Sequence, residues 1–162
     1  MVMEVFDGAT VRNVTIGRTT AGIACLGSCT LQNIHWTYVG DFAVAALGGP
    51  GTVARVEDSR VDEAFDKAFQ HNGAGTVSLE NITLGPVGHI YASCGSCDPA
   101  IARNVVARNV HARTARSDGF AVQLRDPAPL IERSSVGPGR SDELCSLYEG
   151  NNSLHRPCPG VG

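Results

Sequence analysis

The feature that most constrains this chain is a short pattern that keeps returning: apolar, any residue, Asn, apolar, any residue, apolar. It stands as Val11-Arg12-Asn13-Val14-Thr15-Ile16 and returns at 31–36, 79–84 and 107–112, around Asn33, Asn81 and Asn109. Weaker copies at 56–61 and 131–136 carry Asp58 and Arg133 in the central place. From Asn13 to Asn109 the central positions lie 20, 25, 23 and 28 residues apart. Bounded but irregular spacing marks a solenoid, in which each copy belongs to one coil and variable loops absorb the differences. A second run of strand-like segments alternates with the first, at 22–25, 41–47, 67–71, 89–93, 120–124 and 144–148.

Each coil then holds two or three short strands joined by Gly-rich turns, which predicts an all-β fold, a short right-handed parallel β-helix. Alternating Val, Ile and Leu point into the coil, and no window sustains a helical period beyond a marginal stretch at 61–69. A length of 162 residues with 43% hydrophobic content fits one domain over 1–162. The tail at 137–162 is expected to cap one end. The other end begins in a strand with no cap in view, which suggests a short helix, a homodimer partner or a truncated ancestor there. The asparagines are expected to form an internal ladder, each amide bonding the backbone of the next coil. Burial in that ladder would set aside the glycosylation patterns at Asn13 and Asn81.

A net charge of −3 without a basic cluster argues against nucleic acid, and no apolar run is long enough to span a bilayer. The first residues lack the basic start and apolar stretch of a signal peptide. A cytoplasmic location follows if the chain is full length, and a secreted one if a leader was removed. Six cysteines favour an oxidising compartment. They fall into local pairs, Cys25 with Cys29, Cys94 with Cys97 and Cys145 with Cys158, read as local disulfides or as buried thiols in a reducing compartment. One zinc ion shared by Cys25, Cys29, Cys94 and Cys97 fails on register, because three coils at ~4.8 Å separate the pairs by about 14 Å.

Longer motifs carry a resemblance. Residues 65–76 read Phe65-Asp66-Lys67-Ala68-Phe69-Gln70-His71-Asn72-Gly73-Ala74-Gly75-Thr76, and residues 88–97 read Gly88-His89-Ile90-Tyr91-Ala92-Ser93-Cys94-Gly95-Ser96-Cys97. Upstream stand Gly8-Ala9-Thr10-Val11-Arg12-Asn13-Val14, then Gly22-Ile23-Ala24-Cys25 with Cys29-Thr30-Leu31, then Val39-Gly40-Asp41-Phe42-Ala43. In this order they resemble the small pectate lyases of polysaccharide lyase family three. That resemblance implies an extracellular, calcium-dependent enzyme that cleaves polygalacturonate by β-elimination. It also implies site positions. The family's calcium aspartate falls on Ala21 and its acidic pair on Asp41 and Phe42. One lysine is kept as Lys67, the next falls on His89, and the arginine on Ala92.

Calcium takes six to eight oxygens, so this depleted set disfavours it; no cofactor is expected, and Asp41 is the one weak metal candidate. Register places Asp41, Lys67 and His89 in successive coils, about 5 Å apart if they share a face. A carboxylate, an amine and an imidazole so stacked can move a proton without a metal, and these three are the expected catalytic residues. Phe42 and Ala92, with Ala21 and Ala24, make the groove apolar; Tyr91 and His71 join Phe42 and Ala92 as expected substrate contacts. The resulting expectation is a repurposed enzyme acting on a small, relatively apolar molecule by elimination, isomerisation or cyclisation, in a biosynthetic setting. Its alternatives are a divergent calcium-dependent pectate lyase and a non-catalytic β-helix that binds a ligand. His35, His111 and His155 have no partner legible in the sequence.

Overall fold

The structure, a computed structural model, describes residues 1–138 and 143–161, the side chains of 152–155 excepted. Fourteen strands follow in order among these residues. They are β1 (Met3–Val5), β2 (Ala9–Ile16), β3 (Thr19–Cys25), β4 (Cys29–Trp36), β5 (Val39–Ala46), β6 (Val53–Val61) and β7 (Ala64–His71). The long β8 (Gly75–Ser93) and β9 (Arg103–Ala115) come next, then β10 (Phe120–Gln123), β11 (Leu130–Glu132), β12 (Ser135–Val136), β13 (Cys145–Glu149) and β14 (Asn152–Pro157). Alternate strands stack in parallel: β1-β3-β5-β7-β8-β10-β13 on one path, and β2-β4-β6-β8-β9 on the other. This is a parallel β-helix. No helix long and apolar enough to cross a membrane occurs among the described residues, and the marginal helical stretch at 61–69 is the start of β7 and the turn before it.

The recurring asparagine has a backbone cause. Asn13, Asn33, Asp58, Asn81, Asn109 and Arg133 all have φ between 48° and 60°, a left-handed conformation that Asn and Asp tolerate best among residues with a side chain. The pairing register between β2 and β4 skips it, running Arg12↔Gln32 and then Val14↔Ile34. The central residue is therefore the corner at which β2, β4, β6, β8 and β9 each bend from one face of the coil to the next. Here the expected internal ladder is corrected. The corner side chains are exposed and bond one another rather than the backbone. Asn33 donates to Asn13, Asn81 to Asp58 and Asn109 to Asn81, each over 2.9 Å. A residue that turns the chain outward at a corner carries its side chain outward with it. Burial thus gives no reason to set the two glycosylation patterns aside.

The core is built of rows in register. Ile23, Val44, Phe69, Tyr91, Phe120 and Cys145 stack through six coils. Leu31, Val56, Leu79 and Ala107 form a second row. Each coil buries its apolar face on the next, so neither is stable alone. Among the described residues β1 pairs only with β3 and β2 only with β4. In the tail, β13 continues the stack and β14 folds back antiparallel to it, with Cys145 joined to Cys158 across the pair. An antiparallel strand cannot continue a parallel solenoid. Residues 139–142 and 162 of the expected cap lie outside the described residues.

Candidate active site

Asp41 on β5, Lys67 on β7 and His89 on β8 come together on the outer surface of the first path. Lys67 and His89 are register partners in adjacent coils, so both side chains leave the sheet on the same side. Lys67 Nζ donates to Asp41 Oδ1 at 2.8 Å, from the coil before, and to Asp66 Oδ2 at 2.5 Å, from its own strand. The lysine side chain is only 14% exposed, while both aspartates are about half exposed. Partial burial works against the ammonium charge, but the hydrogen bonds and charges of Asp41 and Asp66 outweigh it and hold the Lys67 pKa above the ordinary lysine value. The coils meet closely here: a Cβ on Gly88 would lie 1.8 Å from the Asp66 carbonyl oxygen, so that position admits only glycine.

His89 is oriented by the coil that follows. Its Nδ1 lies 2.7 Å from the Asp118 carbonyl oxygen. A carbonyl can only accept, so Nδ1 carries the proton and the neutral ring presents a bare Nε2. Asp118 is buried, and its carboxylate accepts a hydrogen bond from Tyr148. Asp66, Asp118 and Tyr148 thus complete the site that the motifs outlined. Asp66 was legible as a neighbour of Lys67. Asp118 and Tyr148 were not, because the loops before and after β10 hide the register.

The expected substrate contacts divide. Phe42 is half-buried next to Asp41 and in register with Ala21, and Ala92 is in register with Gln70 and Ala121 on the outer surface. His71 and Tyr91 do not reach that surface. Both are fully buried, and Tyr91 donates its hydroxyl proton to His71 Nδ1 at 2.9 Å while His71 Nε2 donates to the Ala74 carbonyl at 3.2 Å. Burial pushes the Tyr91 hydroxyl well above its usual range and lowers the His71 imidazole to about 4. They are core residues because the alternation breaks at Ala68–Phe69 and at Ile90–Tyr91, where two consecutive residues are buried, so positions of the same parity as Lys67 and His89 turn inward beyond the break. His35 pairs with Asp62 at 2.7 Å, His111 bonds Ser135 at 2.7 Å, and the His155 side chain lies outside the described residues. An apolar cleft of about 610 Å³ lies elsewhere, between the loops around Leu47, Gly73 and Ile101. It opens at the far ends of β5 and β7, about 20 Å along the strand from Asp41.

The cysteines form Cys25–Cys29, Cys94–Cys97 and Cys145–Cys158 disulfides, which removes the shared zinc site. With this face described, the comparison with known sequences is decisive. The sequence model of the family described as pectate lyase matches residues 1–153. The chain belongs to the pectate lyase family. A probable pectate lyase D of Neosartorya fischeri is 35% identical over 158 residues, 96% of this chain and 64% of the relative. The probable pectate lyase D of Emericella nidulans is 34% identical over 153 residues, covering 94% and 58%, and the probable pectate lyase E of Aspergillus clavatus is 32% identical over 155, covering 94% and 59%. The chain therefore spans just under two thirds of the length of these pectate lyases.

Membership in the pectate lyase family implies calcium, and the residues present do not fit it. Asp41 and Asp66 converge, but on the Lys67 ammonium, which already stands between them. Phe42 and Ala21 bring no side-chain oxygen, and no group of three or more His, Cys, Asp or Glu side chains is placed to hold a metal ion among the described residues. A calcium ion needs more oxygen than the described side chains of this face offer.

Proposed function

We propose that this chain is a β-eliminating lyase acting on a uronate-containing polysaccharide, with His89 as the base and Lys67 as a fixed positive charge. The observation that supports it is the stacked Lys67–His89 pair on the outer face of a pectate lyase family coil. The carbon that bears the carboxyl group loses its proton to His89 Nε2, the nitrogen that carries no proton in the tautomer the Asp118 carbonyl selects. Lysine has three N–H donors and Lys67 directs two of them to Asp41 and Asp66. The third is left for the oxygen on which negative charge grows. The electron pair of the broken C–H bond forms the new double bond. The glycosidic C–O bond breaks, and the departing oxygen takes a proton from solvent.

The test is the ultraviolet absorbance of the unsaturated uronate product, followed on pectin and polygalacturonate with and without chelator. His89→Ala should lower the rate by about 10²–10⁴-fold, the usual contribution of a general base. Elimination unchanged in His89→Ala would remove His89 from the chemistry.

A second reading, acid–base chemistry on a small apolar molecule, draws on Phe42, Ala21 and Ala92 beside the pair. It predicts no product from either polysaccharide. The three disulfides support a location in an oxidising compartment, and we propose secretion rather than residence in the cytoplasm.

A further inference from the structure

We infer that the uronate taken at this face is a neutral, esterified one rather than the free carboxylate; the inference rests on the β-elimination reading above and names its substrate class. Three observations carry it. First, the charges of the described residues do not favour an anion. Asp41 and Asp66 both bond the single Lys67, so the cluster carries one negative charge in excess. Arg116, from the following coil, has its guanidinium over the Phe65 ring, 4.9 Å from the centroid, and bonds the Ala64 carbonyl at 3.1 Å. Its charge is directed there and not to the aspartates. Asp118, whose carbonyl accepts from His89, brings a carboxylate and no positive charge of its own.

Second, the flanks are apolar. Phe42 stands next to Asp41, against Ala21 of the previous coil, and Ala92 lies beyond His89 on the same strand. An alkoxy group fits beside these side chains without leaving a buried polar atom unpaired, whereas a carboxylate would find no donor among them.

Third, the chemistry differs between the two substrates. Removing the proton beside a free carboxylate builds a second negative charge on an already anionic group. That needs a strong counter-charge, which two aspartates deny. Removing the proton beside an ester builds a single negative charge, which one lysine N–H can meet. The balance is otherwise the same: the proton goes to His89 Nε2, the C–C double bond forms as the glycosidic C–O bond breaks, the departing oxygen is protonated by solvent, and the ester stays intact.

The experiment compares elimination on highly methyl-esterified pectin and on fully de-esterified polygalacturonate of similar length, both with chelator. The expected result is a rate at least roughly tenfold higher on the esterified chain, the order of one uncompensated charge at this distance. Asp41→Asn removes the excess charge. It should narrow that preference by raising the relative rate on the de-esterified chain, whereas damage to the fold would lower both rates alike. A higher rate on de-esterified polygalacturonate overturns the inference and leaves the lyase reading standing. No elimination on either polymer overturns the lyase reading itself.

Discussion

Lys67 cannot serve as a base while it holds two carboxylates. Its raised pKa keeps the ammonium charged below the unfolded lysine value near 10.5, and the stability this adds is lost only as pH rises through the folded value. Lys67→Ala should therefore change stability near neutrality by less than about 1 kcal/mol, since both aspartates are half exposed and remain solvated, as urea denaturation would show. Product absorbance should meanwhile show elimination falling by roughly 10²-fold or more, because the lost group faces developing charge. His71 behaves in the opposite sense. Its imidazole titrates near 4 folded and near 6.5 unfolded, so the stability it contributes is present above 6.5 and drains away as pH falls towards 4. Urea denaturation across that window should show a loss of about 3 kcal/mol, and His71→Gln should flatten the profile. The motifs named Lys67, His89 and Asp41 together, and register brought them together. They also named His71 and Tyr91, which a strict two-residue period would leave on the face of Lys67 and His89; the consecutive buried pairs Ala68–Phe69 and Ile90–Tyr91 break that period and turn them inward.

Each bent strand depends on one left-handed residue, and this is where element-scale stability can be tested. Asn109→Ala should cost about 1–2 kcal/mol, because alanine at a φ of 56° is strained and the hydrogen bond to Asn81 is lost. Asn109→Gly should cost less, since glycine takes that φ freely; thermal unfolding of the two variants decides the order. A corner that failed this test, with alanine no worse than glycine, would mean that the ladder of amides rather than the φ sets the residue. The pattern in the sequence placed these residues one to a coil, but did not show them to be corners. It could not say which way the amides point, because an Asn needed for its backbone and an Asn needed for an internal hydrogen bond leave the same spacing. Asp118 and Tyr148 were hidden for a related reason. They flank irregular loops, and only the stacking of the coils shows that a carbonyl from one coil fixes the tautomer of a histidine in another.

At the scale of the whole molecule, stability is a sum over neighbouring coils, so the ends are where opening begins. The Cys145–Cys158 disulfide closes a loop of 13 residues at the C-terminal end. Replacing both cysteines by alanine should cost about 2–3 kcal/mol, and hydrogen exchange should show the loss first in β13 and β14. The parallel β-helix was readable from spacing alone, whereas the charge balance of its outer face needed the ion pairs. One more property belongs to the molecule as a whole. Twelve of its thirteen Lys and Arg residues are arginine, and Lys67 is the only lysine. The side chain enclosed by Asp41 and Asp66 is thus the only ε-amine in the chain. Apart from the α-amino group, an amine-selective reagent therefore has one target, and mass spectrometry of the Lys67 peptide separates the two: modification there should be slow while Asp41 and Asp66 hold the ammonium, and should quicken in Asp41→Asn.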